Sequence, residues 1–108
     1  MFDAENADSQ LFLTRLFQCL ANPNTRKIVE LLALGPRSLG EFLQVMDSTE
    51  ARIKAAIQVL QTVGLVSEGK DRGGTATVYL LNRTGLNLAQ SWLDRVDSIA
   101  GDPIKSEN

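Results

Sequence analysis

DSTEARIKAAIQVLQTVGLV, residues Asp47 to Val66, is the stretch on which the reading of the fold turns. Its apolar residues Ile53, Ala56, Ile57, Leu60 and Val63 recur at steps of three and four, the stripe of one buried helix face. Ser48 and Thr49 stand just before that run, where a side-chain oxygen accepts from an orphan backbone N–H. Gly64 stands where a left-handed helix end needs it. The other face shows Glu50, Arg52, Lys54, Gln58, Gln61 and Thr62, and Ala51 and Ala55 keep it low in relief. A helix of about four turns (Thr49 to Val63) with short hydrogen-bonding groups outward suits a DNA major groove. Any amphipathic surface helix has the same pattern, so the flanking chain has to decide.

Upstream, Ser38-Leu39-Gly40-Glu41 is a capping box that opens a short helix to Met46, with Leu39, Phe42 and Leu43 inward. That helix, the turn at Asp47-Ser48 and the longer helix make a helix-turn-helix pair. Before it, a helix over Thr25–Leu34 carries Ile28, Leu31 and Leu32 inward, closed by Gly35-Pro36 and preceded by the breaker Asn22-Pro23-Asn24. Earlier still, LFLTRLFQCLA, residues 11–21, puts Leu13, Leu16, Phe17 and Leu20 on one side of a helix. Leu11, Phe12 and Cys19 widen the stripe beyond what one core contact uses. Downstream, residues 65–70 and 75–81 read as two strands. Asp71-Arg72-Gly73-Gly74 between them is rich in residues that tolerate positive φ. A hairpin directly after the second helix of such a pair is a wing. A last helix, Thr84 to Ala100, carries Leu86, Ala89, Leu93 and Val96, joined by Leu88, Trp92 and Ile99. Trp is an interface-forming residue, so the first and last helices are expected to share a dimerisation surface through Leu13, Leu16, Phe17, Leu88, Trp92 and Val96. The alternative is that these helices only complete the protomer core.

The 108 residues are 44% hydrophobic, enough for one domain with one small core, here 10–100 between a flexible acidic start (1–9) and a flexible tail (101–108). With 22% charged residues spread throughout, neither a disordered chain nor a membrane span is expected. No signal peptide is visible, which makes the cytoplasm the expected compartment. A single Cys and no His leave no disulfide framework and none of the usual zinc, copper or haem ligand sets, so no metal or other cofactor is expected. Net charge is −2, but residues 11–93 carry nine Lys/Arg against six Asp/Glu, a mildly basic body between acidic ends. Cys19 reads as a small buried hydrophobe ahead of a redox switch.

In order and wording, LFQCLANPNTRKIVELLALGPRSLGEFLQVM followed by STEARIKAAIQVLQTVGLV, a Gly-rich wing and VYLLN resembles the ArsR/SmtB family of bacterial transcriptional repressors. The resemblance runs from Leu11 to Leu93. Its most specific parts are Leu20-Ala21-Asn22-Pro23 with Arg26, the block from Ile57 to Val66, and Val78-Tyr79. It implies a mainly α winged helix-turn-helix with one small β-hairpin. It also implies a homodimer joined through the first and last helices, and release from DNA when an effector binds. Three departures stand out. Pro23-Asn24-Thr25-Arg26 is one residue longer than the family's Pro-Thr-Arg, an insertion expected to shift the start of the second helix. Lys54-Ala55-Ala56 replaces a Ser/His/Arg-rich cluster on the recognition helix. The Cys or His positions of the family's metal sensors are absent from the Ser38–Met46 and last helices, so metal sensing of those kinds is not expected.

These readings converge on a dimeric, sequence-specific regulator of double-stranded DNA, a repressor by resemblance. Ser48, Thr49, Arg52, Lys54 and Gln58 are the expected contacts of the recognition helix. Lys70, Arg72, Thr75 and Thr77 on the wing, and Arg37, are expected near phosphates. A winged helix that binds protein instead is the competing reading, favoured by the acidic net charge and the two alanines. An enzyme is not expected, because no nucleophile is paired with a recognisable base and no phosphate loop is present. The effector stays open among a redox signal at Cys19, a small organic molecule between helices, and none.

Overall fold

The computed structural model describes residues 7–101. Its elements run α1 (Ala7–Leu20), α2 (Pro23–Ala33), α3 (Leu39–Val45), α4 (Glu50–Val63), β1 (Val66–Lys70), β2 (Thr77–Leu81) and α5 (Arg83–Ala100). A winged helix-turn-helix of five helices and one antiparallel hairpin is therefore the architecture, as the sequence predicts. Apart from Ala7–Ser9 and Gly101, the chain ends expected to be flexible lie outside the described residues. Ala7–Ser9 belong to α1, with Asp8 in a first turn where the helix dipole favours an acid, and Ser9 is buried.

Helix boundaries follow the caps. Ser38 and Glu41 form the reciprocal capping box of α3, and Thr49 accepts from the Arg52 N–H to start α4. Gly64 ends α4 at φ 89°, a backbone that only glycine adopts without strain. α2 begins at Pro23, two residues before the expected start. Asn22 accepts from the Asn24 N–H at 2.7 Å and Pro23 fills the first helical position, so the extra Asn24 is taken up inside the first turn. The next two residues reach back to α1. The Thr25 hydroxyl donates to the carbonyls of Cys19 and Asn22, and Arg26 donates to the Leu20 carbonyl at 2.7 Å. The Leu20 carbonyl at the end of α1 has no continuing helix to bond to, so the Thr25 and Arg26 side chains tie α1 to α2.

α4 is the centre of the core, packing against α1, α2, α3 and β1. Its Ile53, Ala56, Ile57 and Leu60 meet Leu13 and Leu16 of α1, Ile28 and Leu32 of α2 and Phe42 of α3 in one buried cluster. Each Leu, Ile or Phe among them contributes about 1.5–3 kcal/mol on leaving water. Leu13, Leu16 and Leu88 are at most 3% exposed within this cluster. This corrects their assignment to a dimer surface. A domain this small spends its best-shielded stripe on its own core, and only the outer side of α1 and α5 remains available.

The strands pair from Val66 opposite Leu81 to Lys70 opposite Thr77. Tyr79 also bonds to the segment between α2 and α3. The Arg37 N–H donates to the Tyr79 carbonyl at 3.1 Å, and the Tyr79 N–H to the Arg37 carbonyl at 2.7 Å. The tyrosine ring lies 6.4 Å from that of Phe42. The base of the wing is thus joined to the helix-turn-helix at one residue.

Candidate nucleic-acid interface

At ~100° per residue, the exposed centre of α4 is formed by Ala51, Ala55, Gln58 and Thr62, all of them solvent-accessible. Arg52 and Lys54, two residues apart, fall on opposite flanks of this face, ~200° from each other. Lys54 lies 3.9 Å from Glu50 one turn earlier, an exposed pair of little worth that a phosphate can displace. Arg52 borders a cleft formed with Pro23 and Asn24 of α2 and Gln18 and Cys19 of α1. Between two basic flanks the face offers Gln58 at its centre, and Thr62 one turn on, whose hydroxyl donates to the Gln58 carbonyl at 2.9 Å.

Two of the expected contacts have other roles. The Ser48 hydroxyl is enclosed and has no hydrogen-bond partner among the described residues, so it is not presented to a ligand outside. Ser48 lies in the turn between α3 and α4, where the chain folds over its own short side chain. Arg37 is half-buried, and its Nε donates to the Leu31 carbonyl at 3.2 Å, which caps the C-terminal end of α2. Sequence reasoning missed this because one bridging residue has no periodicity. Thr49 keeps an exposed position at the start of α4 while serving as its cap.

On the wing, Lys70, Arg72, Thr75 and Thr77 are all exposed. The Lys70 ammonium donates to the Thr77 hydroxyl across the strand pair at 3.2 Å. The tip is longer than the four-residue turn expected, spanning residues 71–76, and Asp71 organises it. One carboxylate oxygen accepts from the Thr75 and Ala76 N–H groups at 3.0 and 3.3 Å. The Ala76 and Thr75 bonds hold the Asp71 carboxyl below the usual carboxylate range. A lowered pKa means the contribution is complete above the unfolded value of about 3.9 and is lost as pH falls through the folded one. The tip is therefore expected to keep its order across neutral pH and to loosen only in acid. Asp71→Ala should reproduce that loosening at pH 7, read as faster amide exchange at Thr75 and Ala76. Unchanged exchange there would show that the carboxylate does not hold the tip.

Phe17 of α1 packs edge-on against Trp92 of α5, ring centres 5.6 Å apart. Past Trp92 every residue of α5 is exposed, and Leu93, Val96 and Ile99 stand out with Leu11 and Phe17 as large apolar side chains open to water. Cys19 is 6% exposed at the end of α1. Burial pushes its thiol pKa up, against a smaller lowering by the Thr25 hydrogen bond, so it stays protonated and unreactive at neutral pH.

No family model matches the chain. It is 37% identical over 81 residues to the HTH-type transcriptional regulator Rv2034 of Mycobacterium tuberculosis, covering 75% of this chain and 74% of the relative. The chain belongs to the HTH-type transcriptional regulators. The fold of the regulator agrees with solved structures of that kind. An ArsR-like transcriptional regulator from Rhodococcus sp. RHA1 superposes with a TM-score of 0.71 at 20% identity, over 87% of this chain and 94% of that one. The homodimeric winged helix-turn-helix DNA-binding domain of Mb0332 from Mycobacterium bovis gives 0.64 at 21% identity, over 95% and 94%. Among the described residues, no helix of the regulator is long and apolar enough to cross a membrane.

Proposed function

We propose that the regulator is a homodimeric, sequence-specific DNA-binding repressor that acts in the cytoplasm. The observation that carries this reading is the outer face of α4, low in relief, capped at both ends, with Gln58 at its centre and a cation on each flank. In a major groove, Gln58 faces base edges, Arg52 and Lys54 reach bases or the two phosphate walls, and Thr49 meets backbone at the helix start. The wing follows the backbone with Lys70, Arg72, Thr75 and Thr77. Two copies joined through the outer sides of α1 and α5 present two such helices, so an operator with half-sites about 34 Å apart is expected. A neighbour of the same fold that is a homodimeric DNA-binding domain supports the pairing of two copies.

Affinity for specific and random duplexes over a salt series tests the reading. Arg52→Ala should cost about 1–3 kcal/mol on the best operator and relax preference at one base pair. Arg72→Ala should weaken all duplexes alike and reduce the salt slope by about one counterion per site. If the parent shows no salt-dependent binding to any duplex, the protein-binding reading takes its place. If the parent binds and neither variant differs from it, α4 and the wing are not the surfaces that touch DNA.

A further inference from the structure

One flank of α4, from Arg52 to Gln58, is also the wall of a trough. The cleft between Arg52, Asn24 and Gln18 has a volume of about 600 Å³. It continues into a second of about 580 Å³ towards Arg15, Thr62 and Val63. The two halves share Gln18, Cys19, Ala55 and Val59. Each half is within the range of small-molecule sites, and the lining mixes apolar residues (Cys19, Ala55, Val59) with polar ones, the polar share being larger in the half at Arg52. Val59 stands 45% exposed within it. Its charge is one-sided, since Arg52 lines one half, Arg15 the other, and no carboxylate lines either. Among the described residues neither arginine side chain has an ion-pair partner.

From this we infer that the trough between α1, the start of α2 and α4 binds a small organic anion, an apolar body of one or two rings bearing a carboxylate, and that its binding competes with DNA. The carboxylate meets the guanidinium of Arg52, the planar fork suited to it. The body lies on Val59, Ala55 and Cys19. Competition follows from the wall, because Arg52 engaged by the ligand is withdrawn from DNA, and a body lying against Ala55 thickens the recognition face. The coupling has to be reciprocal, so duplex lowers affinity for the anion by the same factor. This second half rests on the DNA-binding reading above, whereas the site itself does not.

2-Naphthoate is the probe, with 2-naphthamide as its neutral counterpart of the same shape, titrated into isotope-labelled full-length protein and followed by NMR. Naphthoate should shift the signals of Gln18, Ala55 and Val59 saturably, with a dissociation constant of about 1 mM or tighter, the level ordinary for a ligand of this size. The amide should bind at least tenfold more weakly (~10-fold is one charge-assisted contact). Arg52→Gln should bring naphthoate down to the level of the amide, and Val59→Trp, at an exposed position, should fill the trough and remove binding with the rest of the spectrum unchanged. Arg15→Gln, in the other half of the trough, should leave the preference for the acid in place, and loss of that preference here with Arg52→Gln unchanged would overturn the assignment. Equal binding of acid and amide, shifts centred on Leu93 and Val96 of α5, or no saturation would overturn the site. In a parallel arm, saturating naphthoate should weaken the parent's affinity for its operator, and Val59→Trp should remove that effect. Naphthoate in the trough with DNA affinity unchanged overturns the competition. A parent that binds no duplex at all defeats the DNA-binding reading instead, and the NMR arm still decides the site.

Discussion

Phe42→Ala is expected to lower the free energy of unfolding by about 3–5 kcal/mol, the range for a large aromatic truncated in a closed core. Phe42 is 0% exposed, lies on the shortest helix, and is the buried anchor of α3 against both α4 and the ring of Tyr79. Domains of this size have about 5–15 kcal/mol in total, so such a loss leaves little margin. It should also cost DNA binding out of proportion to the unfolded fraction, because the angle between α3 and α4 is set at this contact. Urea unfolding followed by circular dichroism measures the effect, with Leu43→Ala at the half-buried neighbouring position as the milder comparison. A loss below about 1 kcal/mol for Phe42→Ala would mean that the site collapses around the missing ring and α3 is not held there.

Val96→Glu is expected to convert the proposed dimer to monomers at micromolar concentration without harming the protomer. Val96 is 43% exposed in the single chain, so nothing in the protomer core depends on it. In a two-fold assembly through the outer sides of α1 and α5, each substitution enters the interface twice. An unpaired carboxylate removed from water costs several kcal/mol, enough to weaken association by about two to three orders of magnitude. Sedimentation should report the change in mass, and circular dichroism an unchanged helix content. Trp92→Ala is the less clean probe, because the indole also packs on Phe17 within one chain. A Val96→Glu protein that remains dimeric would move the interface elsewhere, and a parent that is monomeric at micromolar concentration would remove the dimer from the proposed function.

What the sequence made legible was whatever is local. The α3 capping box, the Thr49 cap, the Gly64 stop and the stripe from Ile53 to Leu60 are written in spacing and side-chain chemistry, and the helix-turn-helix and wing follow from them. Less legible was anything decided by a neighbour far along the chain. Thr25 and Arg26 read as the start of a helix but serve the end of the one before it. Arg37 reads as a free cation but caps α2 and joins the wing through its backbone. Leu13, Leu16 and Leu88 could not be told from Phe17 and Val96 by periodicity, since both sides of those helices are apolar and only packing selects the inner one. The trough beside α4 involves three elements brought together by the fold, and no motif announces it.

The bond pair between Arg37 and Tyr79 bears on how this chain can change length. With the base of the hairpin anchored to the α2–α3 connection, residues 71–76 are a tip whose ends are already fixed by the ladder from Lys70 and Thr77. Doubling such a loop adds only about 0.6 kcal/mol of closure entropy. Insertions there would extend the wing's reach along a duplex and leave the spacing between α3 and α4 untouched, whereas an added residue between Gly35 and Ser38 would unseat the anchor. The wing tip is thus the place where a longer or shorter relative can alter its footprint while retaining the same scaffold.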